Sequence, residues 1–108
     1  MGKYLLIGSY TAEGAIGLLK EGGTSRRAET ERAIRSLGGT IEAYYFAFGD
    51  DDFYLLADLP DNVSAAVGPL IAGATGTVRI RTIVLMTPEE VDAVKDKAAS
   101  VTFRGAGQ

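Results

Sequence analysis

Cysteine and histidine are both missing from the 108 residues. That excludes disulfides, thiolate nucleophiles, Cys/His zinc sites and any imidazole acid or base. It leaves only tyrosine and methionine among the usual haem ligands. A chain without disulfides fits a reducing cytoplasm, and a cytoplasmic location is expected. Long apolar runs are absent too. The opening "MGKYLLIGSY" is too short for a signal peptide or a membrane span, and Leu6 occupies the position where a myristoylation signal needs Ser or Thr. No membrane partner is expected. Nor is there an excess of basic charge: the formal net charge is −3, which argues against nucleic acid as a partner. The length is that of one compact domain, expected over residues 1–99 and followed by a tail at 100–108.

What remains is an ordinary globular alternation of apolar and polar segments. "KYLLIGSY" (Lys3–Tyr10) predicts a buried strand. Thr11 can cap a helix whose Ala12, Ala15, Ile16 and Leu19 follow the i, i+3, i+4, i+7 spacing, ended by Gly22-Gly23. A second helix follows, capped by Thr24 or Ser25, with Thr30, Ala33, Ile34 and Leu37 as its inner stripe and Gly38-Gly39 as its stop. "TIEAYYFAF" (Thr40–Phe48) and "FYLLADL" (Phe53–Leu59) predict two aromatic-rich strands joined as a hairpin. Asp61 then caps a helix with the stripe Val63, Ala66, Val67 and Leu70, and Gly68-Pro69 predicts a kink or early break in it. A fourth strand spans Gly76–Met86, and "TPEE" completes a capping box for a terminal helix. The order β-α-β-β-α-β plus a terminal helix is the α+β, ferredoxin-like arrangement: a four-stranded antiparallel sheet with right-handed crossovers and helices on one face.

Helices cover one side of such a sheet, yet nearly every strand is apolar on both sides. Leu5 and Ile7 alternate with Tyr4 and Leu6, and Tyr45 with Tyr44 and Phe46. A second copy packed against the exposed side resolves this, so a homodimer or larger homo-oligomer is expected. Strict alternation also places Arg79 and Arg81 together on the fourth strand. If Glu42, Tyr44, Tyr54 and Asp58 share that face, two readings follow. One is an ion-pair network at an interface or sheet edge; the other is an anion-binding pocket built on guanidinium groups.

Other motifs carry less. "GAIGLLKEGGT" has the spacing of neither a Walker loop nor a dinucleotide fingerprint. Arg26-Arg27 in a first turn run against the helix dipole, a local mismatch of the kind that can mark function. Gly49-Asp50-Asp51-Asp52 places three carboxylates in a row. Calcium loops space their aspartates at alternate positions, and a hairpin tip offers no cleft for a carboxylate pair, so a solvated turn is expected and no metal.

Taken in order, "KYLLIGSYTAEG", "KEGGTSRR", "LGGTIEAYYFAFG", "DLPDN" and "TIVLMTPEEVD" resemble the GYD family of small proteins. The family is named for a Gly-Tyr-Asp signature between its second and third strands. Gly49 and Asp52 hold the ends of that signature here, while Asp51 stands where the tyrosine is expected. The resemblance implies a dimeric α+β barrel, a fold whose relatives include cofactor-independent monooxygenases, lactone isomerases and haem enzymes. It supplies no activity. Three readings stay open. The first is an oligomeric module binding a small organic ligand between sheet and helices, with Tyr10, Tyr44, Tyr54, Arg79 and Arg81 as candidate contacts. The second is a cofactor-independent enzyme with Asp58, Glu42 or Tyr44 as candidate catalytic groups. The third is a purely structural or interaction protein. No cofactor is expected in any of them.

Overall fold

The order of strands follows from which segments are apolar on both sides. In the computed structural model, which describes residues 2–108, β1 (Gly2–Tyr10) lies inside the sheet between β3 (Phe53–Leu59) and β4 (Val78–Leu85). β2 (Thr40–Phe46) forms the other edge, giving the order β2-β3-β1-β4 with every neighbouring pair antiparallel. Four helices complete the chain: α1 (Ala12–Glu21), α2 (Gly23–Ser36), α3 (Asn62–Ala74) and α4 (Pro88–Ala98). This is the ferredoxin-like α+β arrangement expected from the sequence.

The helix starts obey their capping chemistry. The Thr11 hydroxyl accepts from the Gly14 N–H at 3.2 Å, and the Asp61 carboxylate from the Ser64 N–H at 2.8 Å. Thr87 and Glu90 form the reciprocal capping box of α4, at 3.1 and 3.0 Å. Each such cap satisfies amide donors the helix itself cannot, worth about 1 kcal/mol.

The core lies between the sheet and α2–α3. It is made of Tyr4 and Leu6 of β1, Tyr44 of β2, Phe53, Leu55, Ala57 and Leu59 of β3, Val78 of β4, Ile34 of α2 and Ala65 of α3. Two glycines permit its closest approaches. A Cβ on Gly8 would stand 1.9 Å from Cζ of Phe53, whose ring crosses β1 at that point, and one on Gly14 would stand 1.9 Å from the Thr77 carbonyl oxygen.

That second contact explains the main departures from the sequence reading. The α2 stripe of Thr30, Ala33, Ile34 and Leu37 does face inward. In α1, however, Ile16 and Leu19 point outward (67% and 89% exposed), and Gly14 is the buried residue. In α3, Val63, Ala66 and Leu70 likewise point outward, while Ala65 and Ala72 face the sheet. Both helices rest on the sheet by their smallest residues, because only these let the backbones come close. Their bulkier stripes are left on the surface.

Smaller corrections have local causes. α3 runs unbroken through Pro69 to Ala74. Gly22 caps α2 and continues directly from α1, so neither Thr24 nor Ser25 serves as the cap. β2 ends at Phe46 instead of Phe48, where the chain leaves for the acidic loop, and β4 spans Val78–Leu85. A register shift between Ile41 and Ala43 breaks the alternation of β2. It puts Ile41 and Tyr44 on the helix side together, which a strict period of two forbids. Among the described residues, no helix is long and apolar enough to cross a membrane.

Candidate functional site

Cross-strand register decides which candidate side chains meet, because directly opposed residues share a face. Tyr44 opposes Leu55, and Tyr10 opposes Val78, both on the helix side. Tyr54 opposes Ile7 and Tyr45, Arg81 opposes Ile7, Arg79 opposes Ser9, and Asp58 opposes Lys3, all on the open side. The single composite site suggested by alternation is therefore two sites on opposite faces. The register shift in β2 is what separates Tyr44 from its expected partners.

On the open face the charges pair locally. Lys3 Nζ donates to Glu42 at 2.7 Å and to Asp58 at 3.0 Å, and these carboxylates hold the ammonium pKa above its usual value. Arg81 donates not to Asp58 or Glu42 but to Asp51, at 3.0 Å. That contact corrects the reading of the acidic run as a solvated turn. Asp51 also accepts from the Ser9 hydroxyl at 3.0 Å, and Arg81 foremost holds its carboxyl below the ordinary range. Asp52 accepts from the Tyr10 N–H at 2.7 Å, while its own N–H donates to the Gly8 carbonyl at 2.8 Å. Two of the three aspartates thus latch the β2–β3 loop onto β1 and β4. Of the family-signature positions, Asp52 has this structural duty. Gly49 is exposed with open space around its Cα and no positive φ.

The helix side holds a cleft of about 450 Å³ between the sheet and α1, α2 and α3. Its floor is aromatic and aliphatic: Leu6, Tyr44, Phe53 and Leu55. Tyr44 stacks on Phe53 with ring centroids 5.6 Å apart, and Tyr10 tilts against the same ring at 5.6 Å. Leu18 of α1, Ala33 of α2 and Ala72 of α3 form the walls, and Glu13, Arg26 and Glu29 stand at the rim.

The polar groups inside are hydroxyls. Burial pushes the Tyr44 phenol up to about 12, with the neighbouring Tyr10 adding to the effect. Burial raises Tyr10 as well, partly offset by Tyr44 and by the Arg26 charge. Both phenols are neutral at physiological pH and available as hydrogen-bond donors. Thr30 donates its hydroxyl to the Arg26 carbonyl at 2.9 Å, an intrahelical bond that orients it.

Arg26 is the residue that sequence reasoning singled out without placing. Its charge opposes the α2 dipole, and Glu21 at the end of α1 opposes the α1 dipole in the same way. The joint at Gly22 brings the two mismatched charges to 3.6 Å, so each offsets the other. The Ser25 hydroxyl donates to the same Glu21 oxygen at 2.9 Å. Glu13 and Leu18 at the cleft had no signal in sequence, since only tertiary packing selects which part of an exposed helix borders a void.

This cleft, roofed by helices on a ferredoxin-like sheet, lies within the segment that comparison with known families recognises. A family model described as GYD domain matches residues 4–94. The chain belongs to the GYD domain family. The match runs from the third residue of β1 to the second turn of α4 and takes in the cleft and the acidic latch. No curated protein and no solved structure matches the chain.

Proposed function

We propose that this GYD domain protein is a homodimeric module that binds a small, mostly apolar organic molecule carrying one hydrogen-bond acceptor. The observation that carries the reading is the cleft itself. It has the volume of a small-ligand site, an aromatic floor, and two neutral phenols, the half-buried Tyr10 and the buried Tyr44, at one end. A carbonyl or ether oxygen placed near these hydroxyls gains hydrogen bonds while the remainder of the ligand covers Leu6, Phe53 and Leu55. Binding is favoured over catalysis by position: the candidate bases Asp58 and Glu42 pair with Lys3 on the far side of the sheet, and the carboxylates nearer the cleft, Glu13 and Glu29, stand at its rim. The dimer is supported by the open face, where the row Leu56, Leu5 and Ile83 lies between the Lys3 and Arg81 ion pairs without a covering layer from its own chain. A reducing cytoplasm suits a chain without cysteine.

The test is native mass spectrometry of the freshly purified protein beside Ala33→Phe, which places a ring in the cleft from its α2 wall. The expected result is a dimer with retained small-molecule mass in the parent protein, and the same dimer without that mass in the variant. A parent protein that carries nothing and binds no member of a panel of small aromatic ketones and esters would overturn the ligand reading. A monomer would overturn the dimer.

A further inference from the structure

α4 is well formed at its start and packed on nothing. Its capping box and Pro88 define the first turn, yet none of its residues is buried. Val91, Val94 and Ala98 nevertheless fall on one stripe at i, i+3 and i+7. An isolated helix of 11 residues is marginal in water, since helices below about 12–15 residues rarely hold without tertiary contacts. The dimensions of the chain point the same way. Its radius of gyration is 17.3 Å, against about 13 Å for a compact domain of this length. It exposes 7532 Å², roughly 1,800 Å² more than a monomer of its mass normally does. The surplus exceeds the ~800 Å² per partner of a standard interface.

We infer that α4 is an exchanged arm, whose Val91–Val94–Ala98 stripe packs on the β4 margin of the open sheet face of a second copy of this chain. The proposal rests on the homodimer reading above and adds to it the element that closes the interface. The two surfaces suit one another. The margin offers Ile83, 40% exposed, in line after Arg79 and Arg81 on the same face of β4, and no carboxylate pairs with Arg79 among the described residues. α4 brings four carboxylates, Glu89, Glu90, Asp92 and Asp96, against two lysines. In a closed two-fold pair the exchange is reciprocal: each copy gives one arm and receives one, so no unpaired arm remains to propagate an open chain.

The discriminating experiment is sedimentation equilibrium on the full chain and on Val91→Asp/Val94→Asp. Both valines are about half exposed in their own protomer, so the substitutions leave the protomer fold intact, and far-UV circular dichroism checks this. The expected outcome is a dimer for the parent protein and a dissociation constant at least tenfold weaker for the double variant. Val91→Leu/Val94→Leu, which keeps the stripe apolar, retains the parent affinity. A parent dimer that the aspartates leave unchanged would overturn the arm while sparing the sheet-face dimer. A monomeric parent would overturn both.

Discussion

Tyr44 shows how far one side chain depends on its surroundings. Its phenol is buried against Phe53 and beside Tyr10, and burial raises its pKa to about 12 from the ordinary tyrosine value of 10.0. A raised pKa in the folded state means that the fold holds this proton more tightly than the unfolded chain does. The stabilisation is complete below about pH 10 and is lost as the pH climbs from there toward 12. Absorbance at the phenolate band is expected to show one tyrosine of the parent protein ionising near 12, a step missing from Tyr44→Phe. A Tyr44→Phe titration identical to that of the parent would remove the buried phenol from the site. The variant gives up one hydroxyl and keeps the ring, so a stability change of no more than about 1.5 kcal/mol is expected.

Between elements, the acidic loop performs a task that its composition disguises. β3 begins at Phe53, opposite Gly8, while β1 continues to Tyr10, whose N–H has no β3 partner. The Asp52 carboxylate replaces that partner, and Asp51 joins Ser9 of β1 to Arg81 of β4. Asp52→Ala is expected to lower stability by about 1.5–3 kcal/mol in urea unfolding at neutral pH, the range for a lost bond to a charged acceptor. Asp51→Asn behaves differently. The depressed folded-state pKa of Asp51 gives a contribution present above the ordinary aspartate range and lost as the pH falls through the depressed value. Midpoint temperatures of the parent protein and Asp51→Asn should therefore differ at pH 7 and converge in acid. A constant difference across that range would mean that the Arg81 contact does not govern this carboxyl.

Across the whole molecule, stability is unevenly distributed. β1 and β3 have ladders on both sides and carry most of the core, β2 and β4 are edges, and α4 stands apart. Amide hydrogen exchange should rank them in that order, with β1 and β3 opening only on global unfolding. β4 amides as protected as those of β1 would show instead that β4 is not an edge in solution. The same distribution explains which parts were legible in sequence. The alternation in β1 and β3, the caps at Thr11, Asp61 and Thr87, and the inner stripe of α2 report local rules, and local rules are written in adjacent residues. The stripes of Ile16–Leu19 and Val63–Leu70 obeyed the same helical spacing and faced the other way. Periodicity identifies an apolar face but does not say whether it meets its own sheet or a second chain.

The sequence by itself determined the element order, the antiparallel sheet, the starts of α1, α3 and α4 and the exclusion of thiol and imidazole chemistry. These depend on backbone preferences, side-chain period and the residue inventory, all properties of a linear chain. Only the tertiary structure decided that Tyr10 and Tyr44 share a cleft with Arg26, that Tyr54, Arg79 and Arg81 lie across the sheet from them, and that two aspartates are latches. Those outcomes turn on a one-residue register shift in β2 and on glycines that let α1 and Phe53 approach β4 and β1. A shift of one residue reverses the face of every side chain beyond it, and only the pairing of strands far apart in sequence reveals it.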